Sequence, residues 1–149
     1  MIRRFESGRW TDVPLDQYKN EPGTWMEVTR QVLYSSDRSL FETRYFEIAP
    51  GGYSSFERHQ HEHCVLVLQG QGEVRLGDDW FSLKQHDVVQ VESGMAHQFR
   101  NAGSSPFGIL CIVDRERDRP VHLAESHASE SPPEGPLDTA QPSEASKTL

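Results

Sequence analysis

The chain has 149 residues, 35% of them hydrophobic, and a formal net charge of −8 at pH 7. This length favours a single domain, and the negative charge argues against a nucleic-acid partner because a polyanion would be repelled. The longest apolar runs have five residues, far fewer than the roughly 20 that a membrane-spanning helix needs. No apolar segment follows the first charged residues, as a secretory signal would require. We therefore expect a cytoplasmic protein without a membrane partner.

Short segments rich in β-branched and aromatic residues follow one another between residues 28 and 113. Turn signals separate them, such as Gly70-Gln71-Gly72 and Gly77-Asp78-Asp79. Region 10–25, which precedes them, has little regular alternation of apolar residues. We expect an arm or a short strand there. Many short strands with glycine-rich turns predict an all-β fold, an antiparallel sandwich or barrel. The predicted strands are 28–34, 41–48, 65–68, 74–76, 88–91, 97–101 and 107–113.

Segment 124–149 differs in composition from the rest of the chain. It has five acidic residues against one lysine, and it holds four of the nine prolines. Such a segment cannot bury enough apolar surface to offset the loss of conformational entropy on ordering. The sequence therefore predicts a folded domain at residues 1–123, which includes the N-terminal arm, and a disordered acidic tail rich in proline and serine at residues 124–149.

Four residues of metal-binding type alternate along the chain: Glu57, His59, His61 and His63. Alternate side chains of an extended strand share one face, so these residues can converge on one point. A fifth candidate, His97, opens another predicted strand. Imidazole and carboxylate groups together suit Fe, Mn, Ni, Cu or Zn. Alternation alone leaves open a ligand set with His61, a set with Glu57 in its place, and histidines that merely decorate a solvated strand.

The order and spacing of these residues resemble the two motifs of the small single-domain cupins. The residues that carry the resemblance are Gly51, Glu57, His59, His63, Gly70 and Gly72 in the first motif, and Gly94, His97 and Asn101 in the second. The similarity extends over about residues 28–113, and it is greatest to the small manganese-binding cupins with four metal ligands. Glu57 stands where the family has a histidine, and His63 stands where it has a glutamate. His86 and Glu92 replace the usual glycine and proline.

The resemblance implies a jelly-roll barrel, also called a double-stranded β-helix, that holds one divalent transition metal. The implied ligands are Glu57, His59, His63 and His97, with His61 in the turn, where it points away or toward the pocket mouth. Manganese or iron is expected because carboxylate ligation favours a harder metal; nickel, zinc and copper are alternatives. A homodimer is also expected, since small cupins commonly pair through sheet edges, which protects an exposed edge strand.

In function, the resemblance implies a mononuclear metal-binding cupin with a small-molecule substrate. A metal with open coordination positions inside a barrel can bind dioxygen, a peroxide or a bidentate oxygen ligand. We therefore expect a metal-dependent oxidoreductase of the dioxygenase type. A non-redox isomerase or decarboxylase is an alternative, and so is a non-catalytic cupin that binds a sugar or another small molecule. The sequence assigns no catalytic acid or base.

Five further side chains have a predicted place. By resemblance, Ile109 and Cys111 line the pocket across from the metal. Cys64 and Cys111 both lie in apolar runs and are predicted to be buried thiols of a reducing compartment. Arg44 and Gln31 are assigned to a solvated outer face, with binding of a substrate carboxylate as the alternative.

Two more predictions concern an aromatic pair and a charged run. Trp80 and Phe81 are expected to belong to the core rather than to a ligand site. The run 114–119 alternates in sign, which is typical of a solvated strand end whose charges pair with one another.

Overall fold

The computed structural model describes residues 1–124, and within this range the chain forms strands and turns without a helix. No helix in the described range could therefore cross a membrane. The predicted tail, 124–149, lies outside the described residues except for Ala124. The strands, in chain order, are β1 (Phe5–Glu6), β2 (Arg9–Trp10), β3 (Asp16–Gln17), β4 (Met26–Tyr34), β5 (Phe41–Tyr53), β6 (Glu57–Arg58), β7 (His63–Gln69), β8 (Gln71–Leu76), β9 (Asp79–Lys84), β10 (Val88–Val91), β11 (His97–Arg100), β12 (Phe107–Asp114) and β13 (Val121–His122).

All strands except β1 and β2 belong to one curled antiparallel sheet with two halves. In the first half the order of hydrogen-bonded strands is β3-β4-β5-β12-β7-β10, and in the second half it is β9-β8-β11-β6-β13. The halves join where the end of β5 pairs with β11, at Tyr53 and Arg100. Apolar side chains from both halves form one core cluster. The predicted all-β jelly-roll fold is confirmed.

Alternate residues of each strand build this core. On β12, Phe107, Ile109, Cys111 and Val113 are buried, while Ile112 is 41% exposed. Successive side chains of a strand point to opposite faces. One face of β12 therefore points into the barrel, and the other points outward.

The same alternation contradicts the prediction that Cys64 is buried. Val65 and Val67 on β7 are fully buried, so the neighbouring Cys64 points outward and is exposed. An apolar run of five residues marks a strand, but half of its side chains face away from the core.

The chain also forms a strand that the sequence did not predict. Residues 79–84 are β9, and Leu83 is the member of this strand that joins the core cluster.

Phe81 is 49% exposed, so the prediction that it belongs to the core is wrong. Among the described residues β9 pairs with β8 alone, and solvent reaches the side chains along this edge. Trp80 is half-buried, and the guanidinium carbon of Arg100 lies 3.7 Å from its ring centroid.

Gln31 is not solvated, contrary to prediction, because the N-terminal arm covers it. Its side chain on β4 is 1% exposed. Oε1 accepts a hydrogen bond of 2.9 Å from the backbone N–H of Trp10, and Nε2 donates to the carbonyl oxygens of Trp10 and Val13 at 2.7 and 2.8 Å. These three bonds satisfy the buried amide and attach the arm to the barrel.

Two motif positions depend on backbone geometry. A Cβ atom at Gly72 would lie 2.3 Å from the ring of Phe107, so a larger residue would displace that buried ring. His86, at the position where the family has glycine, has a φ of 75°, in the left-handed region that glycine adopts most easily. Its backbone N–H donates to the carbonyl oxygen of Val67 at 2.8 Å, which holds the turn in place.

Replacing Gln31 with alanine is expected to lower the free energy of unfolding by about 2 kcal/mol, because three hydrogen bonds are lost and buried backbone groups of the arm lose their partners. Urea denaturation of the full chain measures this change. Gln71→Ala, at an exposed position on β8, is the matched control and should change stability by less than about 0.5 kcal/mol. Equal losses in both variants would contradict the role of Gln31.

Candidate metal centre

Three histidines converge inside the barrel. His59 follows β6, His63 opens β7 and His97 opens β11. β6 and β11 are hydrogen-bonded neighbours in which Glu57 lies opposite His97, and the chain reverses direction between β6 and β7. One nitrogen atom from each of the three imidazoles lies within 4.8 Å of the others. The group is therefore compact enough to hold one metal ion.

Backbone carbonyl groups fix the tautomers of two of these histidines. Nδ1 of His59 lies 2.8 Å from the carbonyl oxygen of His61, and Nδ1 of His97 lies 2.9 Å from that of Met95. A carbonyl oxygen only accepts, so Nδ1 carries the proton in both rings and Nε2 keeps its lone pair. The Nε2 atoms of His63 and His97 are 3.2 Å apart. Two nitrogens at right angles around an ion about 2.1 Å away would stand about 3 Å apart, so this spacing fits a divalent metal.

Burial keeps the three imidazoles neutral. It lowers the pKa of His63 to about 2, with His97 and His59 as further causes. Burial also lowers the pKa of His59 and the pKa of His97. A metal ion binds the neutral ring, and protons compete with it for the nitrogen. At neutral pH the site is thus already in the protonation state that a metal requires.

Glu57 lies beside the three histidines but is not part of the group that they form. Its side chain is buried and lines the same pocket. Oε2 accepts a hydrogen bond from the hydroxyl group of Ser55, and Nδ1 of His122 lies 4.0 Å from the same oxygen. Ser55 thus orients the carboxylate. The role of Glu57 as a fourth ligand stays a prediction.

His61 lies in the turn between β6 and β7, where its ring stacks on that of His59 with 3.6 Å between centroids. Its Nδ1–H donates to Oδ1 of Asp118 at 2.7 Å. Asp118 also accepts hydrogen bonds from the backbone N–H groups of Gln60 and His61, and these donors lower its pKa. Asp118 therefore fastens the turn that presents His59 and His63. No sequence pattern pointed to this role.

The charged run 114–119 contacts other segments, so the prediction that its charges pair with one another is wrong. Arg117 donates to the Glu42 carboxylate on β5 at 2.7 Å, and Arg115 lies 3.1 Å from Asp37. Asp118 binds the turn at His61. The run follows β12 and passes close to these three segments, whose charged and polar groups pair with it.

The three histidines line a pocket of about 200 Å³. Ile109 and Cys111, both predicted to line a pocket, do so. Sγ of Cys111 lies 3.4 Å from Nδ1 of His63 and 3.7 Å from Nη2 of Arg44. Burial raises the pKa of the Cys111 thiol. The pocket therefore holds a protonated thiol beside the histidine group.

Arg44 lines the pocket too, so its assignment to a solvated outer face is wrong. Phe46 and Ile48, two and four residues further along β5, are buried and line the same pocket. Since alternate residues share a face, this spacing was a signal that Arg44 points inward. Lys19 and Arg30 also line the pocket. Val28, two residues before Arg30, is buried, so alternation was a signal for Arg30 too, whereas the segment of Lys19 carried no comparable pattern.

Several known proteins are similar to this chain. A family model described as a cupin domain matches residues 44–113. The chain is 42% identical over 121 residues to 1-methylthio-D-xylulose 5-phosphate methylsulfurylase from Rhodospirillum rubrum, covering 80% of this chain and 78% of that protein. It is 35% identical over 98 residues to (S)-ureidoglycine aminohydrolase from Arabidopsis thaliana, covering 65% of this chain and 33% of that protein. The crystal structure of a cupin-2 domain protein from Rhodospirillum rubrum matches with 42% identity and a TM-score of 0.74, over 83% of this chain and 84% of that chain.

Replacing Glu57 with alanine is expected to weaken metal binding by about tenfold or more, because a carboxylate beside the three imidazoles is lost. His61→Ala is expected to leave metal affinity nearly unchanged, since the His61 ring is directed to Asp118 and Asp118 keeps its hydrogen bonds to the backbone N–H groups of residues 60 and 61. Competition titration of the apoprotein with manganese and a chelator measures both. The opposite order of effects would show that His61, and not Glu57, is the fourth ligand.

The apoprotein is expected to become less stable as the pH falls below about 6.5, the ordinary pKa of histidine. The lowered pKa of each of the three histidines means that the unfolded state binds more protons below this pH. Each contributes up to about 1.4 kcal/mol per pH unit, and stability is fully present above this range. Urea denaturation at several pH values across this range measures how the free energy of unfolding changes with pH. This slope should decrease in His63→Ala. It should persist in the control His86→Asn, which changes a residue at an exposed turn. A slope unaltered by His63→Ala would contradict the assignment.

Proposed function

The chain belongs to the cupin family, and we propose that it is a metal-dependent enzyme that removes the methylthio group from a small phosphorylated ketose. The observation that carries this proposal is the buried thiol of Cys111 beside His63, in a pocket lined by arginine and lysine. The similar protein from Rhodospirillum rubrum is named for 1-methylthio-D-xylulose 5-phosphate. Relatives named as enzymes support catalysis in general.

We infer that Glu57, His59, His63 and His97 hold one divalent metal, either manganese or iron. Three neutral imidazoles and one carboxylate would leave coordination positions open for substrate oxygens. When bound, the metal supplies Lewis-acid polarisation of a carbonyl or hydroxyl oxygen. The carboxylate favours a harder metal over copper.

The charge of the pocket supports an anionic substrate. Four cationic side chains line it: Lys19, Arg30, Arg44 and Arg117. Arg30 and Arg117 pair with the carboxylates of Asp16 and Glu42, so Lys19 and Arg44 are the two that make no salt bridge within the described residues. Cationic side chains without a salt bridge attract a small anion such as a sugar phosphate.

Cys111 is the residue that we propose receives the methylthio group, because its Sγ atom lies 3.4 Å from Nδ1 of the proposed metal ligand His63. In the step that we infer, its sulfur bonds to the sulfur of the substrate, the bond from that sulfur to C1 breaks, and the electron pair passes to C1 beside the ketone. The thiol proton ends on C1, so the products are a 1-deoxy sugar phosphate and a mixed disulfide on Cys111. A low-molecular-weight thiol then takes the methylthio group and restores the Cys111 thiol.

A second candidate is the oxidoreductase of the dioxygenase type expected from the sequence. The three-histidine group favours it, because a metal held there would supply the open coordination positions that such an oxidoreductase needs. The two candidates differ in their requirement for dioxygen. The cytoplasmic location and the homodimer also stay predictions.

Metal-loaded protein is expected to convert 1-methylthio-D-xylulose 5-phosphate to a 1-deoxy sugar phosphate in the presence of a thiol and without dioxygen. Mass spectrometry follows the product and the mixed disulfide. Cys111→Ala should abolish turnover because no sulfur remains to accept the methylthio group, whereas Cys64→Ala, which removes the exposed cysteine, should have no effect. Turnover that survives Cys111→Ala would contradict this proposal. Dioxygen uptake during turnover would also contradict it and would favour the second candidate.

A further inference from the structure

We propose that Arg44 binds the phosphate group of the substrate in this pocket. The identity of the rest of the substrate rests on the proposed function. Arg44 lies on β5 and projects into the pocket beside the histidine group. Its Nη2 atom is 3.7 Å from Sγ of Cys111, which in turn lies 3.4 Å from Nδ1 of His63. A group bound to Arg44 would therefore share the pocket with the reacting sulfur and the metal ligands.

Among the described residues no carboxylate forms a salt bridge with the guanidinium group of Arg44. Its charge does help to lower the pKa of Glu42, although burial and the contacts of Glu42 with Arg117 and Ser35 affect that pKa more. The other arginines of the pocket are paired: Arg30 lies 3.3 Å from the Asp16 carboxylate and Arg117 lies 2.7 Å from that of Glu42. For Arg44 the structure assigns a single side-chain hydrogen bond within the described range, to a thiol sulfur, which is a weak acceptor. Its Nε atom is buried without a partner. A buried N–H donor without a partner is costly unless a ligand supplies an acceptor.

Phosphate is the ligand that fits such a group. Guanidinium presents parallel N–H donors that match two oxygens of a phosphate. The guanidinium carbon lies 5.3 Å from the ring centroid of Phe46, and Phe46 in turn packs against Tyr18 and Trp25. This aromatic wall restricts the position of the guanidinium and excludes water from one side of the pocket.

Lys19 is the other pocket cation without a carboxylate partner in the described part of the chain. Its Nζ atom lies 5.2 Å from the ring centroid of Tyr18 and 6.0 Å from that of Trp25. It therefore lies against the aromatic residues and not against Cys111. Arg44 is the better phosphate ligand of the two because its planar donors bind two oxygens at once.

Isothermal titration calorimetry of manganese-loaded protein with inorganic phosphate, xylulose 5-phosphate and unphosphorylated xylulose tests this inference. Arg44→Gln is expected to weaken binding of both phosphates by about 10- to 100-fold, the range of one charge-assisted hydrogen-bond pair. It should leave xylulose binding unchanged. Arg44→Lys should restore part of the affinity. Arg100→Gln removes the same charge outside the pocket, where Arg100 pairs with Glu73, and should have no effect.

Chemical modification of the wild-type protein supplies a test that needs no variant. Phenylglyoxal should modify Arg44, and inorganic phosphate should protect it, as peptide mapping by mass spectrometry would show. Phosphate affinity that is unchanged in Arg44→Gln, modification of Arg44 without protection, or loss of affinity in Lys19→Gln alone would each overturn the assignment. If xylulose 5-phosphate binds through Arg44 but methylthio release is absent, the phosphate site stands and the proposed reaction fails.

Discussion

The pairing of β6 with β11 is the contact on which the site depends. It sets Glu57 opposite His97, and the reversal of the chain after β6 brings His59 and His63 to the same point. Asp118 holds this reversal through bonds to its backbone and to His61. Since backbone hydrogen bonds position the histidines, the geometry that a metal needs exists before any ligand binds.

Burial gives the pocket a particular electrostatic character. It lowers the pKa of the three histidines and raises that of Cys111, so imidazoles and thiol are all uncharged at neutral pH. Arginine does not lose its proton in a protein, and Arg44 therefore stays cationic within the same pocket. Neutral metal ligands, a neutral thiol and a fixed cation together favour a compact anionic substrate. This pocket contrasts with the acidic character of the whole chain.

The fold and the position of the histidine group could be predicted because both follow from local patterns. Alternation and turn residues mark strands, and the spacing from Glu57 to His63, followed by His97, fits two motifs of one family. The errors arose where contacts between distant elements decide whether a side chain is covered. Gln31 has an outward position on β4, yet the N-terminal arm buries it. Phe81 lies on an edge strand and stays exposed.

By itself, the sequence determined the all-β class, the family resemblance and the residues that carry the metal-type chemistry, because side-chain alternation and motif spacing are properties of neighbouring residues. Only the tertiary structure decided what surrounds those residues. Arg44 is separated from Cys111 by 67 positions along the chain, and Asp118 from His61 by 57. Contacts over such distances depend on how the sheet curls and which strands pair, and local sequence patterns carry no record of either.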